Sequence, residues 1–309
     1  MSYLRAFGSY LPERRVGNGE IAALVGATPE WIVDVSGIEE RRFASGSDTV
    51  ASLGLLAAQN CLTSAGKSAA DLGMILVASG SAPRFCPGPA SQIATAFGLT
   101  ATPAFDIPVA SCGSLISLAL AAELAPKFGP VLVIGAEIMS RCIELSPLGK
   151  DTAILFGDGA GACLVDSSTG FARVADSILS TDGASAEILK IENGRIAMEG
   201  RSVILQAVRK IPRALNDLLS RNHLTAADPI AWLIHQANLN LIARVAQSLK
   251  VPEDRFFVNL TRYGNTSSAS LLIAADEWRN AHPDPLAGPL VFTAFGAGLN
   301  WGALLALPA

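Results

Sequence analysis

Cys112 is the residue of this sequence with the greatest capacity for covalent chemistry. It follows a segment over residues 104–110 that is typical of an extended strand, and it precedes a helix-forming run that starts at Gly113. The dipole and the free N–H groups of a helix N-terminus stabilise a thiolate, so we expect a lowered pKa and a nucleophilic role. The alternative is a small apolar residue of the core, which is the usual role of a cysteine. That alternative is favoured for three cysteines within apolar patterns, Cys61, Cys142 and Cys163.

His235 and Asn265 are the next candidates. His235, one of three histidines, directly follows the apolar run 232–234. Ligands bind at the C-terminal ends of strands in α/β sheets, so this position favours a functional imidazole, with a buried structural histidine as the alternative. Asn265 stands between Gly264 and Thr266, a pattern that by itself predicts a turn and a helix N-cap.

The composition limits the class of protein. Of the 309 residues 50% are hydrophobic and 16% are charged, which excludes an intrinsically disordered chain. A net charge of −4 gives no overall field for capturing nucleic acid. The five cysteines are odd in number and contain no C-x-x-C pair, so we expect neither a disulfide framework nor a metal site. The N-terminus, Met1 to Arg5, lacks the apolar region of a signal peptide, so we expect a cytoplasmic protein.

Short runs rich in Val, Ile and Leu alternate with longer helix-forming stretches, which predicts an α/β fold. The runs are apolar throughout, as strands covered on both faces of a sheet require. The predicted strands are 74–78, 131–134, 162–165, 232–234 and 290–293, and the predicted helices are 52–64, 91–97, 113–125, 237–249 and 267–280. The uncharged segment 290–307 contains several glycines, so it predicts two buried strands rather than a membrane anchor.

Two glycine-rich segments do not predict nucleotide binding. The segment 157–162 approximates a dinucleotide fingerprint, but strand-like residues follow where the fingerprint needs a helix. The second segment, 296–298, lies too near the C-terminus for a further strand–helix–strand unit to follow it.

The two halves of the sequence resemble each other. The segment 71–78 has a counterpart in 228–235, and Ser111-Cys112-Gly113 has a counterpart in Gly264-Asn265-Thr266. We therefore predict two fused copies of one α/β unit, residues 1–168 and 169–309, joined near 166–170. Such a join places Cys112 and Asn265 at equivalent positions, facing each other across a pseudo-twofold axis.

Taken together, these segments resemble the β-ketoacyl-ACP synthase III family of thiolase-fold condensing enzymes, and the likeness runs almost from end to end. The motifs that carry it are Gly8 to Glu13, Glu30 to Val33, Gly37-Ile38, Phe156 to Gly161, His235 to Leu239, Gly264 to Ser267 and Ala294 to Gly302. The resemblance implies duplicated halves in a five-layered αβαβα sandwich, assembled as a homodimer. It also implies acyl-CoA or acyl-carrier-protein and malonyl thioesters as substrates, an acyl carrier protein as partner, and no cofactor, metal, nucleic acid or membrane.

The resemblance further implies that Cys112 accepts the acyl group, with His235 and Asn265 completing a triad. Nucleophilic catalysis divides one acyl transfer into two easier steps. A malonyl thioester then loses CO₂, the two neutral donors stabilise the enolate oxygen, and the enolate attacks the thioester on Cys112. The backbone N–H groups of Cys112 and Ala297 form the oxyanion hole. By the same resemblance the substrate-binding residues are Trp31, Lys150, Phe156, Gly200, Asn238 and Phe295, and Cys86 limits the acyl pocket.

The sequence departs from that family at several positions. Val35 and Asn240 stand where the well-known members carry arginines, and Lys150 replaces another arginine. Arginine binds phosphate through two parallel hydrogen bonds, so we expect weak binding of free coenzyme A and a specialised pathway rather than fatty-acid initiation. Ala297 brings a methyl group to the oxyanion hole and must tolerate the backbone angles of that turn. The segment 182–200 is shorter than in the family, which predicts a more open tunnel.

Three interpretations stay open at this point. The first is decarboxylative condensation, for fatty-acid initiation or for a polyketide, alkylquinolone or biotin precursor. The second is acyl transfer from Cys112 to an alcohol or amine without decarboxylation, and the third is a non-catalytic subunit of a heterodimeric synthase. A carrier protein needs a basic patch, for which Arg209, Lys210 and Arg213 are the candidates; a solvated, ion-paired face is the alternative for these residues.

Overall fold

Nine strands form one large mixed sheet in the computed structural model, which describes residues 1–309. The strands are β1 (Ser2–Tyr10), β2 (Arg14–Gly17), β3 (Glu40–Phe43), β4 (Met74–Ala78), β5 (Ala104–Ile107), β6 (Val131–Ile138), β7 (Asp158–Asp166), β8 (Ala172–Thr181), β9 (Leu189–Glu192), β10 (Arg195–Met198), β11 (Ala231–Ile234), β12 (Leu290–Gly296) and β13 (Asn300–Pro308). The helices are α1 (Asn18–Val25), α2 (Pro29–Ser36), α3 (Val50–Ala65), α4 (Pro89–Ala96), α5 (Gly113–Phe128), α6 (Lys150–Ala153), α7 (Gly200–Arg221), α8 (Leu239–Leu249), α9 (Leu260–Tyr263) and α10 (Ser270–Ala281).

Helix ends are fixed by local sequence. The side chain of Thr49 accepts a hydrogen bond from the N–H of Ser52 at the start of α3, and Ser52 reciprocates in a capping box. The same helix ends at Gly66, whose φ of 63° is the left-handed conformation that glycine adopts without strain. Thr28 caps α2 in the same manner, with Pro29 at the first helical position.

Apart from the edge strand β5, which has no counterpart, the strand order of the large sheet is symmetric about its centre. The order is β11-β12-β13-β8-β1-β7-β6-β4-β5, with β1 and β8 antiparallel in the middle. Outward from the centre, β7, β6 and β4 on one side correspond to β13, β12 and β11 on the other, and the outer pairs β4–β6 and β11–β12 are both parallel. A duplicated α/β unit produces this symmetry, and the division at residues 168 and 169 falls in the connection between β7 and β8.

The helices form three layers around the two halves of the sheet. Helices α5 and α10 lie between the halves and contact strands of both, α3 and α4 cover the outer face of the first half, and α7 and α8 cover the outer face of the second half. Buried apolar clusters fill the space between successive layers. The result is the predicted five-layered αβαβα arrangement.

The C-terminal segment is a pair of antiparallel strands, β12 and β13, as its glycine-interrupted apolar pattern predicts. Most of the residues of these two strands are buried. No helix of the structure combines the length and the apolar character that crossing a membrane would need.

The glycines of the segment 157–162 serve packing. Residues 158–162 begin strand β7, which starts four residues before the predicted strand 162–165, and α10 packs closely against it. A Cβ atom at Gly161 would lie 2.6 Å from the Cβ of Leu272, so only glycine permits this approach.

Candidate active site

A largely apolar cavity of about 90 Å³ lies at the ends of the central strands, where the two halves of the fold meet. Most of its walls are apolar side chains, so a few polar groups determine what it can bind. Those polar residues include Ser111, His235, Asn238, Asn265 and Ser267. The duplicated fold thus brings the residues next to Cys112 to the same cavity as His235 and Asn265.

Cys112 caps the N-terminus of α5, directly after Ser111, whose φ is 61°. Its thiol is fully buried, and the sulfur lies 3.8 Å from the carbonyl oxygen of Ala294. Burial raises the pKa of the Cys112 thiol to about 12, against our expectation that the helix N-terminus lowers it. Burial disfavours the charged thiolate, so the resting thiol is protonated in the unliganded chain.

The two expected oxyanion-hole donors differ in their hydrogen bonding. The N–H of Cys112 donates to the carbonyl of Ala110 at 2.7 Å, whereas the N–H of Ala297 has no acceptor within the chain and Ala297 lines the cavity. The left-handed backbone of this turn falls on Gly298, with a φ of 124°, and Ala297 has no positive φ. The methyl group of Ala297 is therefore tolerated without backbone strain. Gly296 is the constrained position, because a Cβ there would lie 2.9 Å from the nitrogen of Cys112.

His235 follows the last residue of β11, and its side chain is almost completely buried. Its backbone N–H donates to Thr293, which continues the parallel pairing of β11 with β12 beyond the end of the strand. The Nδ1 atom lies 2.5 Å from the hydroxyl of Ser270, and Nε2 has no partner within the chain. Burial lowers the pKa of His235 to about 4, so the imidazole is neutral at physiological pH.

Asn265 is held on both sides of its backbone by the segment that carries Phe156. Its N–H donates to Leu155 and its carbonyl accepts from Gly157, so Phe156 and Asn265 form an isolated parallel bridge. The side-chain oxygen accepts from the N–H of Ser267 at 2.8 Å. The Nδ2 group therefore remains as a donor without a protein acceptor, in the wall of the cavity.

Glu137, at the end of β6, is a residue that the sequence analysis missed. Its carboxylate is fully buried and accepts hydrogen bonds from six donors, all of them on neutral residues. Those donors are N–H and O–H groups of Ser79, Gly80, Ser81, Ser267 and Ser268. The hydroxyl of Ser267 in turn accepts from the N–H of Ser111, at 3.0 Å. Glu137 therefore links the loop before Cys112 to the loop after Asn265.

The predicted substrate-binding residues divide into two groups. Phe156, Gly200, Asn238 and Phe295 line the cavity. Trp31 and Lys150 do not line it; the Lys150 ammonium lies 4.1 Å from the centre of the Trp31 ring, a cation–π contact outside the cavity. Helix α2, which carries Trp31, is nevertheless tied to the cavity wall, because Asn238 donates to the carbonyl of Val35 at 2.9 Å.

Cys86 lies on an exposed loop and lines none of the described cavities of the single chain. Its neighbour Phe85 is 86% exposed, so this loop points away from the core. Within one chain, the expected contribution of Cys86 to the acyl pocket is therefore not observed.

The segment that we expected to open the tunnel covers it instead. Residues 189–198 form the hairpin β9–β10, and Leu189, Ile191, Ile196 and Met198 line the cavity. The turn of this hairpin is Asn193-Gly194, both with positive φ, and an Asn-Gly pair between short apolar runs is a sequence signal for such a turn. The shortened segment is thus a compact cover rather than an opening.

The buried neutral state of His235 predicts a dependence of stability on pH. In the unfolded chain His235 has a pKa of 6.5, whereas in the folded chain its pKa is about 4. Between these two pH values the unfolded chain therefore binds a proton that the folded chain does not. The free energy of unfolding should therefore fall as the pH drops from about 6.5 to about 4, by about 3 kcal/mol in total from this group. Denaturant titrations of wild type and His235→Asn across this range measure the effect as a difference.

Subtracting the free energy of unfolding of His235→Asn from that of the wild type removes the contributions of other titrating groups. Burial raises the pKa of Asp158 and of Asp276, which makes the folded chain bind protons and acts in the opposite direction. These contributions are common to wild type and His235→Asn. A difference in stability that does not change with pH would contradict the buried neutral imidazole.

Comparisons with protein families and with known sequences identify the same family. The family described as 3-oxoacyl-[acyl-carrier-protein (ACP)] synthase III matches residues 105–191, and its C-terminal part matches residues 219–307. A β-ketoacyl-[acyl-carrier-protein] synthase III of Oleidesulfovibrio alaskensis is 38% identical over 98% of this chain and 98% of its own.

The solved structures with the same fold include members of this family. The crystal structure of 3-oxoacyl-[acyl-carrier-protein] synthase III from Aquifex aeolicus is 31% identical, with a TM-score of 0.95 over 99% of this chain and 100% of that one. The priming β-ketosynthase of the R1128 polyketide biosynthetic pathway is 30% identical, with a TM-score of 0.90 over 100% of this chain and 96% of that one.

Proposed function

This chain belongs to the 3-oxoacyl-[acyl-carrier-protein] synthase III family and is a condensing enzyme, and we propose that Cys112, His235 and Asn265 carry out its chemistry. One observation carries the proposal. A thiol at a helix N-terminus lies beside an apolar cavity whose wall contains two neutral polar side chains, His235 and Asn265, each with a nitrogen that has no partner within the chain. That combination suits acyl transfer followed by stabilisation of an enolate.

In the first step, the sulfur of Cys112 attacks the carbonyl carbon of an acyl thioester. A carbon–sulfur bond to Cys112 forms and the bond to the donor thiol breaks, while the proton of the Cys112 thiol ends on the departing thiol. The helix N-terminus and the unpaired N–H of Ala297 stabilise the negative charge that develops during the transfer. In the resting chain the Cys112 thiol is protonated and contacts the carbonyl of Ala294, so acylation requires that the thiol lose its proton.

In the second step, a malonyl thioester binds in place of the first thiol and its carbon–carbon bond to the carboxylate breaks, releasing CO₂. The electron pair passes to the thioester oxygen as an enolate, which accepts hydrogen bonds from His235 and Asn265. The enolate carbon then attacks the acyl carbonyl on Cys112, and collapse of the tetrahedral adduct releases the thiolate of Cys112 and a β-ketoacyl thioester. A neutral imidazole and an amide suit this role because neither needs to take up a proton.

The test is release of labelled CO₂ from malonyl-carrier protein in the presence of a panel of acyl thioesters. Release that depends on the acyl donor, together with a β-ketoacyl product, is the expected result, and the best donor identifies the starter. Acylation of Cys112 without CO₂ release would overturn condensation and direct the search to alcohol and amine acceptors.

We propose that an acyl carrier protein docks along α7. Its exposed residues Arg201, Leu205, Arg209 and Arg213 recur every fourth position, so they form a stripe about 18 Å long on one side of the helix. The only salt bridges of α7 are made by Lys210 and Arg221, so the three arginines of the stripe are not neutralised. The stripe begins beside Gly200, which lines the cavity.

This arrangement corrects one of the sequence candidates. Lys210 is not part of the stripe, because it forms a salt bridge of 2.6 Å with Asp182 and stacks over Trp301. Arg209 and Arg213 keep their charge available for an acidic partner, with Leu205, 57% exposed, as an apolar contact between them and the cavity.

The double variant Arg209→Glu, Arg213→Glu should raise the KM for malonyl-carrier protein about tenfold and leave kcat unchanged, because these charges lie at the rim of the contact. The KM for a malonyl-pantetheine thioester, which lacks the protein, should not change. The matched control is Lys127→Glu, which reverses an exposed charge near the C-terminal end of α5 that, like the two arginines, forms no salt bridge. Equal effects on the carrier-bound and the small substrate would contradict docking on α7.

We also propose that the chain acts as a homodimer through the edge of the sheet at β5. This strand is the last of the large sheet, and Phe105 on it is 55% exposed. The loop with Phe85 and Cys86 is exposed as well, and because Cys86 lines no cavity of the single chain, it would meet an acyl chain only across the interface of a dimer.

A further inference from the structure

Ser270 is placed to control the side chain of His235. It is the first residue of α10, almost completely buried, and its hydroxyl oxygen lies 2.5 Å from His235 Nδ1. The same oxygen accepts a hydrogen bond of 3.2 Å from the backbone N–H of Gln236. This hydroxyl makes no other hydrogen bond within the chain.

The direction of the hydrogen bond follows from counting protons. The N–H of Gln236 can only donate, so it occupies one lone pair of the Ser270 oxygen. The hydroxyl proton of Ser270 has a single acceptor within reach, which is His235 Nδ1. A proton on Nδ1 would leave the Ser270 hydroxyl proton buried without an acceptor, which is unfavourable.

We propose that Ser270 is a positioning residue that holds His235 in the tautomer with its proton on Nε2, so that the imidazole meets the substrate as a hydrogen-bond donor. In a neutral imidazole, a Nδ1 that accepts a hydrogen bond leaves the single proton on Nε2. Nε2 is the ring nitrogen that has no partner within the chain. The other tautomer would turn a lone pair toward the enolate oxygen and repel it.

This inference rests on the proposed function only for its catalytic consequence, since the tautomer itself is a property of the unliganded chain. Gln236 supports it by fixing the backbone around His235. Its side-chain amide donates to the carbonyls of Ile234 and Phe257 and accepts from two further N–H groups, so Gln236 cannot move to free Ser270.

The direct test is nitrogen-15 NMR of protein labelled at histidine. The chain has three histidines, so the ring signals of His235 are assigned by comparison with His235→Asn. Wild type should show Nε2 protonated and Nδ1 unprotonated. A signal from Nδ1–H in the wild type would overturn the inference without any measurement of activity.

The variant Ser270→Ala tests the consequence. We expect a mixture of the two tautomers and a rate of CO₂ release lowered on the order of tenfold to a hundredfold, with the rate of acyl loading on Cys112 changed little, because only the enolate depends on the Nε2 donor. Ser270→Thr retains the hydroxyl and should restore the single tautomer. Ser117→Ala is the matched control, since it removes a buried hydroxyl that has no hydrogen-bond partner in α5.

The outcomes separate the two proposals. A single Nε2–H tautomer and unchanged CO₂ release in Ser270→Ala would overturn the role of Ser270. A shifted tautomer in Ser270→Ala, in a protein whose wild type releases no CO₂, would leave the assignment of Ser270 intact and overturn the proposed function. Loss of fold in Ser270→Ala would leave the wild-type spectrum to decide the tautomer.

Discussion

Replacing Cys112 by alanine should abolish both acyl loading and product formation. The other four cysteines do not line the cavity, which Cys112 adjoins through Ser111, so no sulfur is available to replace it. Loss of a covalent nucleophile lowers kcat by about a thousandfold or more in enzymes that depend on one. Intact-protein mass after incubation with an acyl thioester measures loading, and chromatography of the β-ketoacyl product measures the complete reaction.

The matched control for this experiment is Cys61→Ala. Like Cys112, Cys61 is fully buried and its sulfur donates to a backbone carbonyl, that of Ala6 at 3.4 Å. Cys61 lies on α3 in the outer layer of the fold, so its loss affects packing alone. An acyl adduct that persists on Cys112→Ala would exclude Cys112 as the nucleophile.

Replacing Glu137 by glutamine should destabilise the protein strongly although the two side chains have the same shape. The amide turns one acceptor oxygen into a donor that faces N–H and O–H donors, and it removes the charge that those donors solvate. We expect the free energy of unfolding to fall by about 3 kcal/mol, measured by urea titration. Glu137→Asp, which keeps the charge, should lose less.

The same substitution should lower kcat, because Glu137 holds Ser267, and Ser267 holds both the amide of Asn265 and the loop before Cys112. We expect a loss on the order of tenfold in folded protein. The control is Glu144→Gln, an exposed glutamate that hydrogen-bonds only within its own turn. Equal stability and activity in Glu137→Gln and wild type would show that this carboxylate is not needed for the geometry.

The sequence predicted the elements of the fold well because their signals are local. Uniformly apolar runs marked the buried strands, and the boundaries of β4 agree with the prediction. The sequence singled out His235 because it directly follows an apolar strand, and Cys112 because it follows an extended segment and precedes a helix. The repeat that relates the two halves is visible in the symmetric strand order.

The parts that were missed depend on contacts between distant segments. Glu137 is the only charged residue in the apolar run 131–138, a pattern that indicates a buried ion. The sequence could not identify its hydrogen-bond donors, because they lie on loops far from Glu137 along the chain. Ser270 lies 35 positions from His235, and nothing in the sequence distinguishes it from other serines of predicted helices. The pKa of Cys112 depends on the depth of burial, which the order of residues around a helix N-terminus does not specify.

The burial of Cys112 also determines how the protein withstands oxidants. Peroxides and alkylating reagents attack exposed thiolates, and the Cys112 sulfur has no exposed surface and holds its proton. Cys86 is the one exposed cysteine, so an oxidant that reaches the folded chain meets that sulfur first. The chain thus keeps the sulfur that we propose as the nucleophile out of the solvent, and an oxidant must enter the cavity, as a substrate does, to reach it.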